Sequence, residues 1–100
     1  MAYRIEWQDE RGACIERYAG IEFRLNLNNV APAGSACLRF IDSYGNTIFN
    51  LRQIAALENE LLDAYDRATE SELAEQLAEF LKFVRLHKGH MNRYLKFTGA

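Results

Sequence analysis

The sequence predicts an α+β fold: an antiparallel sheet of about five to six strands, a C-terminal antiparallel helical hairpin on one face of the sheet, and a final short strand. Apolar and polar residues alternate before Asn50, whereas after it apolar residues recur every three or four positions. Four of the six glycines and the only proline also precede Asn50. Strands grouped ahead of helices are typical of this fold class.

Alternation and turn residues define the predicted strands. The clearest alternation runs from Ile21 to Leu27, with two-residue spacing that a helix would not give. Gly12 ends a polar hairpin loop, and Gly45 lies in a tight turn. The predicted strands are residues 3–7, 13–18, 21–27, 36–42 and 47–49, followed by a final strand at residues 94–97.

Two amphipathic helices are predicted after the strands. The first begins at Leu51 with Asn50 as its N-cap, and residues 66–68 connect it to the second. Thr69 and Glu72 have the spacing of a capping box, and Gly89 is predicted to end the second helix at C′. Because the connection is short, the helices are expected to run antiparallel.

Composition indicates one domain spanning residues 1–100. Apolar residues make up 49% and charged residues 26%, and the net charge of −2 argues against a nucleic-acid binder. The N-terminal residues lack the pattern of a secretory signal, and no apolar run reaches the roughly 20 residues that cross a bilayer. The sequence therefore predicts a cytoplasmic protein without membrane association, with Cys14 and Cys37 as free thiols.

Basic residues concentrate near the C-terminus and define the main candidate binding site. Their functional interpretation is an anion site for a nucleic acid, a phosphate or an acidic protein, and the alternative is complementation of a helix dipole. His87 and His90 have H-x-x-H spacing, but Gly89 interrupts them and no metal site is predicted. The set is Arg85, His87, Lys88, His90, Arg93 and Lys96.

Glu58 is the one carboxylate on the apolar stripe of the first helix. It is expected either to act in a cleft or to pair with a basic residue. A ligand or enzyme site between sheet and helices would use it together with Arg39, Tyr44 or His90. No catalytic residue and no cofactor are predicted, because no nucleophile elbow and no glycine-rich phosphate loop are present.

The stretch from Phe40 to Asn50, of the form D-x-Y-G-x-T-x-F-N, and the terminal Tyr94-Leu95-Lys96-Phe97-Thr98-Gly99 carry a resemblance. Together they resemble a loose group of small, uncharacterised bacterial proteins that share this segment, a helical region and an aromatic-rich terminal strand. Some members look like immunity or accessory proteins of bacterial competition systems. The resemblance implies a bacterial source and a strand-turn-strand-helix unit, and it implies no catalytic residue.

The leading functional hypothesis is a non-enzymatic module that binds a protein partner. The acidic helices or an exposed sheet face would form the binding surface. A small-ligand or enzymatic site and weak nucleic-acid binding by the basic residues are the alternatives. Self-association is also open, because an apolar sheet face left uncovered would be buried in a homodimer.

Overall fold

A computed structural model of the protein describes residues 3–18, 31, 34–42 and 44–99. It confirms an α+β fold with an antiparallel sheet and two helices. Four strands are present in the described residues, fewer than the five to six predicted, and the strand predicted at residues 21–27 lies outside them. The strands are β1 (Arg4–Gln8), β2 (Cys14–Arg17), β3 (Asn46–Phe49) and β4 (Tyr94–Thr98).

The two helices are α1 (Leu51–Arg67) and α2 (Ser71–Arg85), and they pack against each other. The sheet order is β2-β1-β4-β3, so the final strand lies at the centre beside the first. This placement confirms that the chain returns to the sheet after the helices. None of the helices in the described ranges has the length and apolar character needed to cross a bilayer.

One face of the two central strands forms the floor of the core. Ile5 lies opposite Phe97, and Trp7 lies opposite Leu95, and all four side chains are buried. Phe80 of α2 meets Phe97 edge-to-face, with ring centres 5.9 Å apart. The core therefore joins the sheet to the helices through aromatic contacts, which contribute beyond their buried area.

Trp7 also makes a buried polar contact with α2. Its Nε1 donates a hydrogen bond of 2.8 Å to the backbone carbonyl of Phe83, close to the end of the helix. A buried indole nitrogen needs such a partner, because an unpaired donor away from water is destabilising. The bond fixes the end of α2 over β1 and positions the C-terminal basic residues that follow.

The prediction of a strand at residues 36–42 is wrong. The chain there forms a short 3-10 helix at Leu38–Phe40. Leu38 and Ile41, three residues apart, are buried, whereas Phe40 is 60% exposed, so the buried face does not follow the two-residue spacing of a strand. The physical reason is that the backbone amides at the start of this segment bond to a carboxylate and not to a neighbouring strand.

Helix ends follow the sequence signals unevenly. Asn50 is confirmed as the N-cap of α1, in a reciprocal capping box with Gln53. The capping box predicted at Thr69 and Glu72 is wrong, since α2 begins at Ser71 and its N-cap residue makes no side-chain capping bond. Gly89 does not end α2 either, because the helix stops at Arg85 and a series of turns follows.

Candidate functional site

The structure separates the predicted site residues into two regions. Arg39 and Tyr44 belong to residues 39–48, which run from the 3-10 helix into β3 and are called here the 39–48 segment. Of the remaining predicted site residues, Lys96 lies on β4 and the rest lie around the end of α2. Each region depends on a buried glutamate of α1, Glu60 for the first and Glu58 for the second.

Glu60 anchors the chain just before the 39–48 segment. Its carboxylate accepts hydrogen bonds from the backbone amides of Ala36 (3.1 Å), Cys37 (3.1 Å) and Leu38 (2.9 Å). The hydroxyl of Ser35 donates to the same carboxylate and accepts a bond from the amide of Arg39. Successive amides that converge on one anion form a concave site of positive partial charge. A carboxylate supplied by α1 occupies that site.

Burial changes the chemistry of the thiol next to this anchor. Cys37 is 2% exposed, and its Sγ lies 3.4 Å from the carbonyl of Gln53, to which it donates. Burial, with the adjacent Glu60 charge, raises the pKa of Cys37 to about 11. The thiolate is the reactive form, so Cys37 is unreactive at neutral pH while the fold is closed.

Hydrogen bonds within the 39–48 segment join Asp42 to Tyr44 and to Thr47. The amide of Asp42 donates to Oγ1 of Thr47 at 2.9 Å, and the amide of Tyr44 donates to Oδ1 of Asp42 at 2.9 Å. A Cβ atom at Gly45 would lie 2.6 Å from Oδ2 of Asp42, so any larger residue there would require the Asp42 carboxylate to move. The loop is therefore held at both ends, by Glu60 and by β3.

Large apolar side chains of the segment point to solvent. Phe40 is 60% exposed, Tyr44 80% and Ile48 52%. The guanidinium carbon of Arg39 lies 4.7 Å from the centre of the Phe40 ring, a cation–π contact. Exposed aromatic residues and arginine on an ordered loop have the composition of protein-binding hot spots.

Lys96 lies on the sheet face opposite the core. The cross-strand register aligns it with Glu6 on one side and Ile48 on the other, and Arg17 follows Glu6. Glu6 is 8% exposed, so this face carries a buried carboxylate between two cations. Glu6 therefore lies between Lys96 and Arg17 across three neighbouring strands, and the opposite charges attract one another.

Glu58 holds two of the basic residues at the end of α2. Its carboxylate lies 2.9 Å from Nε of Arg85 and 3.0 Å from Nζ of Lys88. Burial alone would raise the pKa of Glu58, but the hydrogen bonds and charges of Lys88 and Arg85 outweigh it and lower the pKa. Glu58 thus stays ionised and neutralises part of the basic cluster, so an anion would have to compete with it.

The two histidines lie near Trp7, with His87 tilted against the indole ring and His90 edge-on to His87. The ring centres of Trp7 and His87 are 5.2 Å apart, and those of His87 and His90 are 5.5 Å apart. Nε2 of His87 lies 3.9 Å from a carboxylate oxygen of Glu16. Nδ1 of His87 and Nε of Arg93 are buried without a hydrogen-bond partner among the described residues.

The structure does not bring Tyr44 and His90 together, although both were named for the predicted ligand site. Tyr44 precedes β3 at the Thr98 end of β4, whereas His90 contacts His87 over Trp7, near the opposite end. Glu58 is engaged with Arg85 and Lys88. No group of three histidine, cysteine or acidic side chains that would hold a metal ion occurs in residues 3–18, 31, 34–42 and 44–99.

A surface groove lies between β2 and α2, away from the predicted residues. It has a volume of about 460 Å³ and mixes an apolar floor with charges of both signs. Tyr18 in this groove has a raised pKa, because burial and the charge of Glu79 both disfavour the phenolate. The lining residues are Glu16, Arg17, Tyr18, Glu79, Lys82, Phe83 and Leu86.

Sequence patterns missed the residue that organises the 39–48 segment. Glu60 falls on the polar side of the apolar stripe, where a solvated side chain is the usual expectation, yet it is 9% exposed. Periodicity assigns a face to each residue relative to the helix axis, and it does not show that another segment covers that face. Ser35 and the amides after it gave no pattern that pairs them with α1.

Replacing Glu60 by glutamine is expected to destabilise the protein by about 3 kcal/mol, since a buried acceptor loses its charge and an amide group faces backbone donors. Urea unfolding measures this loss. In a Cys14→Ser background, thiol labelling of Cys37 should also accelerate, because the anchored segment opens more readily. Glu75→Gln, at an exposed position of α2, is the matched control and should change neither result. Equal stability of the Glu60→Gln and Glu75→Gln proteins would contradict the anchoring role.

Replacing Glu58 by glutamine is expected to destabilise the protein by about 1–2 kcal/mol at neutral pH, a value reduced by the exposure of both cations. Because the folded-state pKa of Glu58 lies below its ordinary value of 4.5, this stabilisation is complete above that pH. It is lost as pH falls through the folded-state pKa.

Urea unfolding of both proteins from pH 7 to about pH 3 checks this dependence. The difference in unfolding free energy between wild type and Glu58→Gln should shrink as the pH is lowered. A difference that stays constant over the whole range would show that the charge of Glu58 has no part in it.

Comparisons with known proteins do not extend this description. No protein-family model, no curated protein and no solved structure matches the chain. The resemblance carried by residues 40–50 and 94–99 therefore stays a prediction.

Proposed function

We propose that the chain is a non-enzymatic protein-interaction module that binds its partner through the 39–48 segment. The observation that carries the proposal is the exposure of Phe40, Tyr44 and Ile48 along the 39–48 segment, which runs from the 3-10 helix into β3. Large apolar side chains are expensive to leave in water, and a cluster of them on an ordered surface is typical of a recognition site. A protein surface is the occupant that matches their size and chemistry.

The order of the loop supports the proposal as much as its composition does. Glu60 fixes the backbone before Arg39, and pairing with β4 fixes the backbone after Gly45. A loop that is already ordered loses little conformational entropy when it binds. Phe40 and Tyr44 are therefore presented in a fixed arrangement before any partner arrives.

An immunity-type or accessory role in a bacterial competition system is one specific form of this proposal. The resemblance of residues 40–50 to such proteins supports it, and those residues include most of the 39–48 segment. The acidic character of the helices favours a partner with basic groups near this surface. A cytoplasmic location belongs to the same proposal.

We also propose two details of the fold, the number of strands and the arrangement of the helices. The alternation of residues 21–27 supports a sheet of five to six strands. The connection of three residues between α1 and α2, and their shared core with the sheet, support an antiparallel helical hairpin on one sheet face. Neither feature is needed for binding through the 39–48 segment.

The alternatives are less well supported by the geometry. Nucleic-acid binding would rely on Arg85 and Lys88, whose charges are already paired with Glu58. A small ligand would bind in the groove between β2 and α2, whose volume is large enough for a small molecule. The charged residues that line that groove are exposed, which makes them poorly suited to orient a ligand.

Photo-crosslinking in the native cells tests the proposal. A photoreactive amino acid at position 44 is expected to form an adduct with one predominant protein, because that position is 80% exposed on the proposed surface. Phe40→Ala in the same chain should remove the adduct. With the purified partner, this substitution should weaken binding by about 30-fold, which corresponds to roughly 2 kcal/mol for a hot-spot residue.

Position 91 provides the matched control for this experiment. Met91 is also 80% exposed, but it precedes the opposite end of β4. The proposal fails if position 44 gives no adduct, or if the two positions give the same adducts with equal yield.

A further inference from the structure

A small cleft lies between the start of α1 and the turn that precedes β4. Phe49 of β3 pairs with Leu95 of β4, so the chain that leaves β3 and the chain that enters β4 are neighbours here. The cleft has a volume of about 220 Å³, and it lies at the other end of this strand pair from Tyr44. Its lining residues are Asn50, Leu51, Arg52, Asn92, Arg93 and Tyr94.

The first turn of α1 leaves two backbone amides beside this cleft without an acceptor. The amide of Gln53 donates to the side chain of Asn50, and the amide of Ile54 donates to the carbonyl of Asn50. The amides of Leu51 and Arg52 have no hydrogen-bond acceptor in the part of the chain that the structure describes. Such orphan amides carry the positive end of the helix dipole, which attracts anions.

Two arginines add full positive charges to the same cleft. Arg52 is exposed on the first turn of α1, and that turn contains no acidic residue. Within the described ranges neither Arg52 nor Arg93 forms an ion pair. Nε of Arg93 is buried without a hydrogen-bond partner, so this guanidinium has lost water there and gained no acceptor. The cleft therefore has positive charge that no described side chain neutralises.

Asp9 is the carboxylate on which the charge of Arg93 acts. Its Oδ1 accepts hydrogen bonds of 2.9 Å from the backbone amides of Arg11 and Ala13, within its own hairpin loop. No hydrogen bond or ion pair joins Asp9 to Arg93 among the described residues, and Asp9 does not line the cleft. Asp9 thus leaves the guanidinium of Arg93 available to another anion.

Asn92 and Tyr94 bring neutral donors to the cleft. Asn92 has a φ of 59°, in the left-handed region that glycine usually fills, and it provides a side-chain amide that glycine would lack. The hydroxyl of Tyr94 is a second neutral donor. Guanidinium groups, the start of a helix and neutral donors together are the groups with which proteins bind phosphate.

We propose that this cleft binds a single phosphate group, either as inorganic phosphate or as the phosphate of a small monoester. Pockets for whole drug-sized ligands measure roughly 300–1,000 Å³, so the smaller cleft suits one tetrahedral anion. A dianion balances the charges of Arg52 and Arg93, whereas a carboxylate would balance only one of them. The proposal goes beyond the protein-binding function and does not depend on it.

An amide NMR titration of the isotope-labelled protein tests the inference, with sodium phosphate and glycerol phosphate as separate probes. At about pH 7.5 a phosphate monoester carries close to two negative charges. The amide signals of Leu51 and Arg52 should shift until they saturate, with a dissociation constant of about 1 mM or lower. Saturation with phosphate alone supports a site for the free anion, and saturation with both probes supports a site that also takes monoesters.

Arg52→Gln and Arg93→Gln should each weaken phosphate binding at least about 10-fold. Arg67→Gln is the matched control, because it removes the same charge from an exposed position at the other end of α1. The ion pair of Arg67 with Asp63 is exposed, so its loss should leave the fold intact. Phosphate binding by Arg67→Gln should equal that of the wild type.

Sodium acetate at equal ionic strength controls for the screening of charge. The inference is overturned if neither phosphate probe saturates the signals up to about 20 mM, or if acetate produces equal shifts. Equal affinity of all three arginine variants would also overturn it. The titration of the wild type decides the matter even where a variant fails to fold, because the amides of Leu51 and Arg52 report on the site directly.

Discussion

The carboxylate of Glu60 is the constraint on which the candidate binding surface depends. It is buried under the chain that it holds, and it accepts bonds from three successive backbone amides and one hydroxyl. These hydrogen bonds replace the water shell that burial removes from the carboxylate. The bonds fix residues 35–38, and the exposed Phe40 lies two residues after this fixed stretch.

The sequence predicts the parts of the fold that repeat a local period. Tyr3, Ile5 and Trp7 alternate because these three side chains are buried in the core, and the apolar stripe of α1 recurs because its residues belong to the same core. Asn50 was identifiable as an N-cap since capping is a local interaction between neighbouring residues. These signals were sufficient for the fold class, the two helices and the return of β4 to the sheet.

The parts that escaped prediction depend on contacts between distant residues. Residues 36–42 look extended by composition, but a glutamate more than twenty positions away supplies their hydrogen bonds and a 3-10 turn results. Glu58 was predictable in part. Its position on the apolar stripe indicated that it needs a cationic partner. That the partners are Arg85 and Lys88 depends on the packing of α1 against α2. The two glutamates are two residues apart, and they organise different surfaces.

Hydrogen exchange at the amides of Ala36, Cys37 and Leu38 in the unmodified protein is the most direct measurement of this account. If Glu60 holds these groups, their exchange is slowed by about 100-fold or more relative to an unstructured chain, although they belong to no strand. Exchange at the unstructured rate, with the amide of Leu95 in β4 still protected, would contradict the anchor and the ordered surface that depends on it.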